Sequence, residues 1–235
     1  MAIYYQTPTN LIPISCSVVC DFGTPGCSVF TVPSGITSLT FEIWGAGGGG
    51  GAHCCCDCYH GGPPGAGGGY SSISIATTAG CTYTVCVGAG GMVPTVGSCT
   101  LHWCCFGQAG GTTYVTGYNL SNFCATGGGG GVNDCYYICG CNIPGGMGYG
   151  GTINACGGYG SNLGYSDAYM WRWSVGGQAA MGASNRPFSG DHCCVCMIAY
   201  PGNFPAAGGG TVLPTLCCCC SQGGTGGNGL VRIHY

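Results

Sequence analysis

Of the 24 cysteines, 17 stand in five short clusters, and these thiols are the groups best able to do chemistry in this sequence. They are Cys54, Cys55, Cys56 and Cys58; Cys99, Cys104 and Cys105; Cys135, Cys139 and Cys141; Cys193, Cys194 and Cys196; and Cys217, Cys218, Cys219 and Cys220. Histidine accompanies three of them: His53 and His60 flank the first cluster, His102 precedes Cys104, and His192 precedes Cys193. Thiolate and imidazole ligands in close array suit zinc, copper or an iron–sulfur cluster. Structural zinc prefers two ligand pairs, each separated by about two to four residues, and Cys135-x-x-x-Cys139 is half of such a motif. Runs of adjacent cysteines cannot all face one ion, but neighbours can pair with different loops. The clusters therefore read as disulfide staples. A metal held by His53, His60, His102, His192 and nearby cysteines is the weaker alternative. Reduced thiols acting as small buried hydrophobes are the bland one. No cofactor is expected.

Catalytic readings find little to work with. The acids are Asp21, Glu42, Asp57, Asp134, Asp167 and Asp191, and no two form a recognisable acid–base pair. Lysine is absent, which removes a Walker-type phosphate loop, and no Gly-x-Ser-x-Gly elbow occurs. Gly45-Ala46-Gly47-Gly48-Gly49-Gly50 matches a dinucleotide-binding pattern in form, but with 52 glycines in the chain that match carries no information. With only Arg172, Arg186 and Arg232 as fixed cations, the chain cannot neutralise a phosphate track, so no nucleic-acid partner is expected. No stretch approaches the apolar length of a membrane helix, so no membrane insertion is expected. The chain reads as a non-enzyme.

The elements that must position the clusters are short strands and glycine-rich segments. Thr37–Trp44 alternates, with Leu39, Phe41 and Ile43 on one face, which predicts a half-buried strand. Val29–Val32 and Thr112–Val115 are further short strands. Ser71–Ala76 and Thr82–Val87 are expected to form a hairpin. Leu230–Tyr235 closes the chain with Val231, Ile233 and Tyr235 inward. Glycine and proline interrupt every 3.6-residue pattern, which predicts little or no helix. Between the strands, glycine recurs at 47–51, 67–69, 127–131, 145–151, 157–160, 208–210 and 223–229. Net charge is −3 and 46% of the residues are apolar, which argues against disorder. These bursts predict extended segments of the polyproline or polyglycine II type, packed through backbone groups. The expected fold is all-β: a sandwich-like strand region with extended glycine segments. Residues 1–27 would pack on or attach the domain, and 28–235 would form a single glycine-rich β domain.

Phe30-Thr-Val-Pro-Ser-Gly-Ile-Thr-Ser-Leu-Thr-Phe-Glu-Ile-Trp-Gly-Ala-Gly-Gly-Gly resembles the opening of the glycine-rich domain of many bacteriophage tail and virion proteins. Ser71–Gly91 resembles its second block, and Gly226–Tyr235 its closing strand. The resemblance implies a virion role, and related polyglycine modules occur in phage adhesins.

On this basis the expected localisation is the virion, and the expected function is a tail-fibre or adhesin component touching a host surface receptor. Other virion proteins are the expected partners, within a homo-oligomer or other symmetric assembly. A purely structural virion protein, such as a capsid decoration or tail component, is the alternative. An ice-binding polyglycine protein is a more distant one, since regular tripeptide repeats are missing. Tyr59, Trp103, Tyr136, Tyr137, Tyr169, Trp171 and Trp173 are the candidate receptor contacts, because Trp and Tyr give large rigid area at low entropy cost. The first residues, MAIYYQTPTNLIPISCSVV, lack the basic and apolar regions of a secretory signal. Disulfides in such a chain would then form after release from the host cytosol.

Overall fold

The computed structural model describes residues 18–51, 64–93, 106–131, 142–163, 173–182, 197–198, 201–210 and 221–235. Among them are fourteen strands and no helix. One sheet contains β1 (Val19–Phe22), β14 (Leu230–His234), β3 (Ser38–Trp44), β4 (Tyr70–Ala76) and β9 (Ile153–Ala155), in that order. The second contains β2 (Gly26–Thr31), β5 (Thr82–Val87), β6 (Thr113–Gly117), β7 (Leu120–Ala125) and β8 (Gly148–Tyr149). All neighbours within the two sheets run antiparallel. Two short pairs lie outside them: β10 (Ser161–Leu163) with β11 (Trp173–Val175), and β12 (Met197–Ile198) with β13 (Ser221–Gln222).

The period-two pattern decides which residues fill the sandwich. Leu39, Phe41 and Ile43 from β3 and Val231 and Ile233 from β14 meet Tyr83 and Val85 from β5, Val115 from β6 and Phe123 from β7, all fully buried. Phe41 sits at the centre, its ring 5.1 Å from Tyr83 and 6.3 Å from Phe123 between centroids. The inward faces read for β3, β5 and the closing strand are those observed.

The expected hairpin of β4 and β5 does not form. β4 pairs with β3 and β9, whereas β5 pairs with β2 and β6. The two strands form an arch across the core. Residues 77–81 explain this: they bond outward to the loop before β3, through Thr77 N–H to Thr37 O and Gly80 N–H to Val32 O. Gly80 takes a φ of +85°, which a glycine allows at no steric cost, and the Thr77 and Tyr83 hydroxyls bond at 2.9 Å. Of residues 1–27, expected to pack on or attach the domain, the described residues 18–27 supply β1 and the start of β2.

Candidate functional site

Every central strand runs directly into an extended glycine-rich segment. There are ten such rods among the described residues, numbered here in chain order: 45–51, 64–69, 88–92, 106–111, 126–131, 142–147, 156–160, 176–180, 206–210 and 223–229. None of their glycines has a positive φ, as an extended left-handed helix requires; Ala206, with a φ of 65°, is the turn residue that opens rod 9. Rod 1 shows the threefold symmetry directly. Gly45 and Gly48 donate to rod 2 at Gly69 and Ala66, Ala46 and Gly49 to rod 4 at Gly111 and Gln108, and Gly47 and Gly50 to rod 10 at Gly227 and Gly224. Its carbonyls at Ala46 and Gly49 accept from rod 5, that of Gly47 from rod 3, and that of Gly48 from rod 9. One turn of three residues thus serves the surrounding rods in succession.

The same bonding places all ten rods on a hexagonal lattice. Rods 4, 5 and 6 form one row, rods 3, 1, 2 and 7 the middle row, and rods 10, 9 and 8 the third. Rods 1 and 2 are enclosed on all sides. Glycine is needed there for closeness: a Cβ at Gly48 would strike the carbonyl of Gly129, and one at Gly65 the carbonyl of Gly48. Outer rods can carry side chains on the turn facing away from the lattice, hence exposed Met92 in rod 3, Gln108 in rod 4 and Gln178 in rod 8.

Successive rods run in opposite directions, and this gives the bundle two different ends. At one end rods continue into the sandwich, sealed by Trp44, Tyr70, Ala179, Ala180, Ala206 and Leu230. The Trp44 ring donates Nε1–H to the Ala180 carbonyl at 2.9 Å. At the far end the chain leaves the described residues after 51, 93, 131, 163 and 210, and re-enters at 64, 106, 142, 173 and 221. Four of the five cysteine clusters, and Tyr59, Trp103, Tyr136, Tyr137, Tyr169 and Trp171, fall in the sequence between these exits and returns. The fifth cluster, Cys193, Cys194 and Cys196, follows Gly182 at the sandwich end. All of these cysteines and aromatics lie outside the described residues, as do His53, His60, His102 and His192. Trp173 opens β11, its backbone opposite Leu163.

The described cysteines are different ones. Cys27 and Cys86 form a disulfide between neighbouring strands β2 and β5, 59 residues apart in sequence. Neither cysteine is clustered, so spacing gives no hint of this pair; the available signal is an outward cysteine on each of two strands. Cys20, Cys81, Cys124 and Cys156 are free thiols, and burial pushes the Cys124 thiol up. Among the described residues no three metal-binding side chains converge.

The described charges gather on the outer face of the first sheet. Arg232 makes two 2.8 Å bonds to Asp21, and this hydrogen bonding holds the Asp21 carboxyl below its ordinary range. Glu42 accepts from the Tyr70 hydroxyl at 2.7 Å and meets His234 Nε2 at 2.7 Å. Burial first, then the Glu42 bond, push Tyr70 up to about 12. Cross-strand register explains the set: Asp21, Arg232 and Glu42 lie in one row across β1, β14 and β3. These groups satisfy one another and fasten both termini of the fold to its centre.

No curated protein matches the chain. A glycine-rich domain model matches residues 23–235, from the first sheet crossing through all ten rods to the last strand. Strand, rod and strand again, repeated across that whole span, make this chain a member of the glycine-rich domain family.

Proposed function

We propose that the chain is a non-enzymatic bacteriophage virion component, in the tail-fibre or adhesin position, which touches the host surface with the segments joining its rods. The observation that carries this reading is the pole of the bundle remote from the sandwich, where five exits and five returns of the chain are pinned by a backbone lattice. A rigid lattice lowers the ordering cost of any binding segment mounted on it. The segments mounted there hold a large share of the chain's Tyr, Trp and Cys. Disulfides among the four cysteine clusters at that pole would fix those segments further.

Alanine at Tyr59, Trp103, Tyr136 and Tyr137 together is expected to reduce particle adsorption to the host at least about tenfold, as loss of a few aromatic anchors does. Unchanged adsorption would remove the host-contact role. Immunogold labelling of purified particles supplies the second test: label at the distal tail tip agrees with an adhesin, and label repeated over the capsid replaces it with a decoration protein.

A further inference from the structure

The free edge of β2 is built to pair with another strand, and we propose that its occupant is β2 of a second copy of this chain. Strands in an antiparallel ladder direct their backbone groups to alternate sides, residue by residue. Val32 bonds to the β5 side, donating to Cys81 O and accepting from Gly80 N–H. Ser28 and Phe30 share its parity and face β5, opposite Val85 and Tyr83. Cys27, Val29 and Thr31 therefore direct their N–H and C=O groups away from the sheet. The 4.0 Å Cα–Cα separation of Cys27 and Cys86 fits this parity, because the close pairs of a ladder are the ones that exchange no hydrogen bonds. No described residue pairs with those outward groups.

Natural sheets guard such edges with charge, proline, bulges or brevity. Among the described residues the other edges of the two main sheets follow that rule. β8 and β9 are two and three residues long, and β1 is four residues long and carries Asp21. β2 has six residues, GCSVFT, with no charge, no proline and no bulge. Val29 is the midpoint of the outward triplet and is 66% exposed.

This triplet is self-complementary. A twofold axis through Val29 and normal to the sheet sets Val29 opposite its own copy and Cys27 opposite Thr31 in both directions. Each outward N–H then meets an outward C=O, and no like charges meet at the seam, as an isologous contact requires. The two five-stranded sheets become one continuous sheet. A two-strand seam alone is smaller than the roughly 800 Å² per partner of a stable interface, and the flank extends it. Val18 and Val19 precede the turn into β2, Phe204 packs against Gly23 in that turn, and all three side chains are about half exposed. The axis turns the two bundles to opposite ends of the pair, so the pairing stands independently of host contact.

Light scattering on the purified chain tests the pairing: it is expected to give twice the 23.4 kDa of the chain. Val29→Lys sets two like charges side by side and is expected to weaken the dimer roughly tenfold or more. Because Val29 is exposed, thermal melting and circular dichroism of the separated chains are expected to be unchanged. p-Benzoylphenylalanine at position 29 is expected to photo-cross-link to residues 27–31 of a second copy. A monomeric wild type, cross-links to residues 1–17, or a dimer that persists in V29K or survives SDS without reductant would each overturn the proposal.

Discussion

The sandwich and the rod bundle are folded by opposite rules within one chain. In the sandwich, large side chains fill the space between backbones, and Phe41, Tyr83 and Phe123 are wholly enclosed. In the bundle, backbones fill the space themselves, and the fully enclosed side chains are small ones: Ala46, Pro64, Ala66, Ala206 and Ala207. The sandwich gains from removing apolar surface from water. The bundle has little such surface to remove and depends on satisfying every enclosed N–H and C=O. The lesson is that tolerance to substitution must invert across the boundary at Trp44–Gly45. Small-for-large changes harm the sandwich, and large-for-small changes harm the bundle.

The strongest way to break this comparison is to put volume into rod 1. Gly48→Val is expected to cost upward of about 5 kcal/mol, because the clash is with backbone that cannot turn aside. Loss of cooperative thermal unfolding would report it. Ala89→Val, at an exposed position of rod 3, is the matched control and is expected to stay within about 0.5 kcal/mol. Next, Phe41→Ala is expected to cost about 3–5 kcal/mol in denaturant titration, through lost burial and the cavity left behind. Tolerance of either G48V or F41A, with a cost as small as that of A89V, would end the distinction. Removing the Cys27–Cys86 link with paired alanines is expected to cost about 2–4 kcal/mol, given the long loop it closes; the melting temperature with and without reductant reads this directly.

The smallest expected effect belongs to the surface pair. Asp21 has a lowered pKa in the folded chain, so its contribution is present above the ordinary carboxylate range and is lost as pH falls through that range toward the folded value. Both partners are more than a third exposed, at 38% and 44%, so the contribution is at most about 1 kcal/mol. The melting difference between wild type and Asp21→Asn is expected to shrink as pH falls below about 4, and with added salt.

Much of the sandwich was legible because inward and outward residues alternate along β3, β5 and β14. β7 was missed: Leu-Ser-Asn-Phe-Cys-Ala alternates poorly, and Asn122 has a φ of 54°. The arch between β4 and β5 was missed because a five-residue turn between two strands looks alike whether it closes a hairpin or crosses a core. Seven glycine bursts were legible as extended segments, except that in 145–151 the rod ends at 147, Gly148 and Tyr149 form β8, and Gly150 takes a φ of 76°. Rods 3, 4 and 8 were not, because as outer rods they can hold Met92, Gln108 and Gln178 and so lack a long glycine run.

Composition by itself determined that this chain would be β-rich and helix-poor, and that its glycines would take extended form, since glycine and proline break every helical period and low charge with ample apolar residues opposes disorder. Alternation by itself determined which faces of the main strands were buried. Only the tertiary structure decided that the rods form three rows of three, four and three, with rods 1 and 2 enclosed. That choice depends on hydrogen bonds between segments up to about 180 residues apart, such as Gly47 with Gly227. All glycines in a run look alike in sequence, so no local signal says which neighbour each will meet. The direction in which each N–H points, every third residue to the same neighbour, exists only once the rods are side by side.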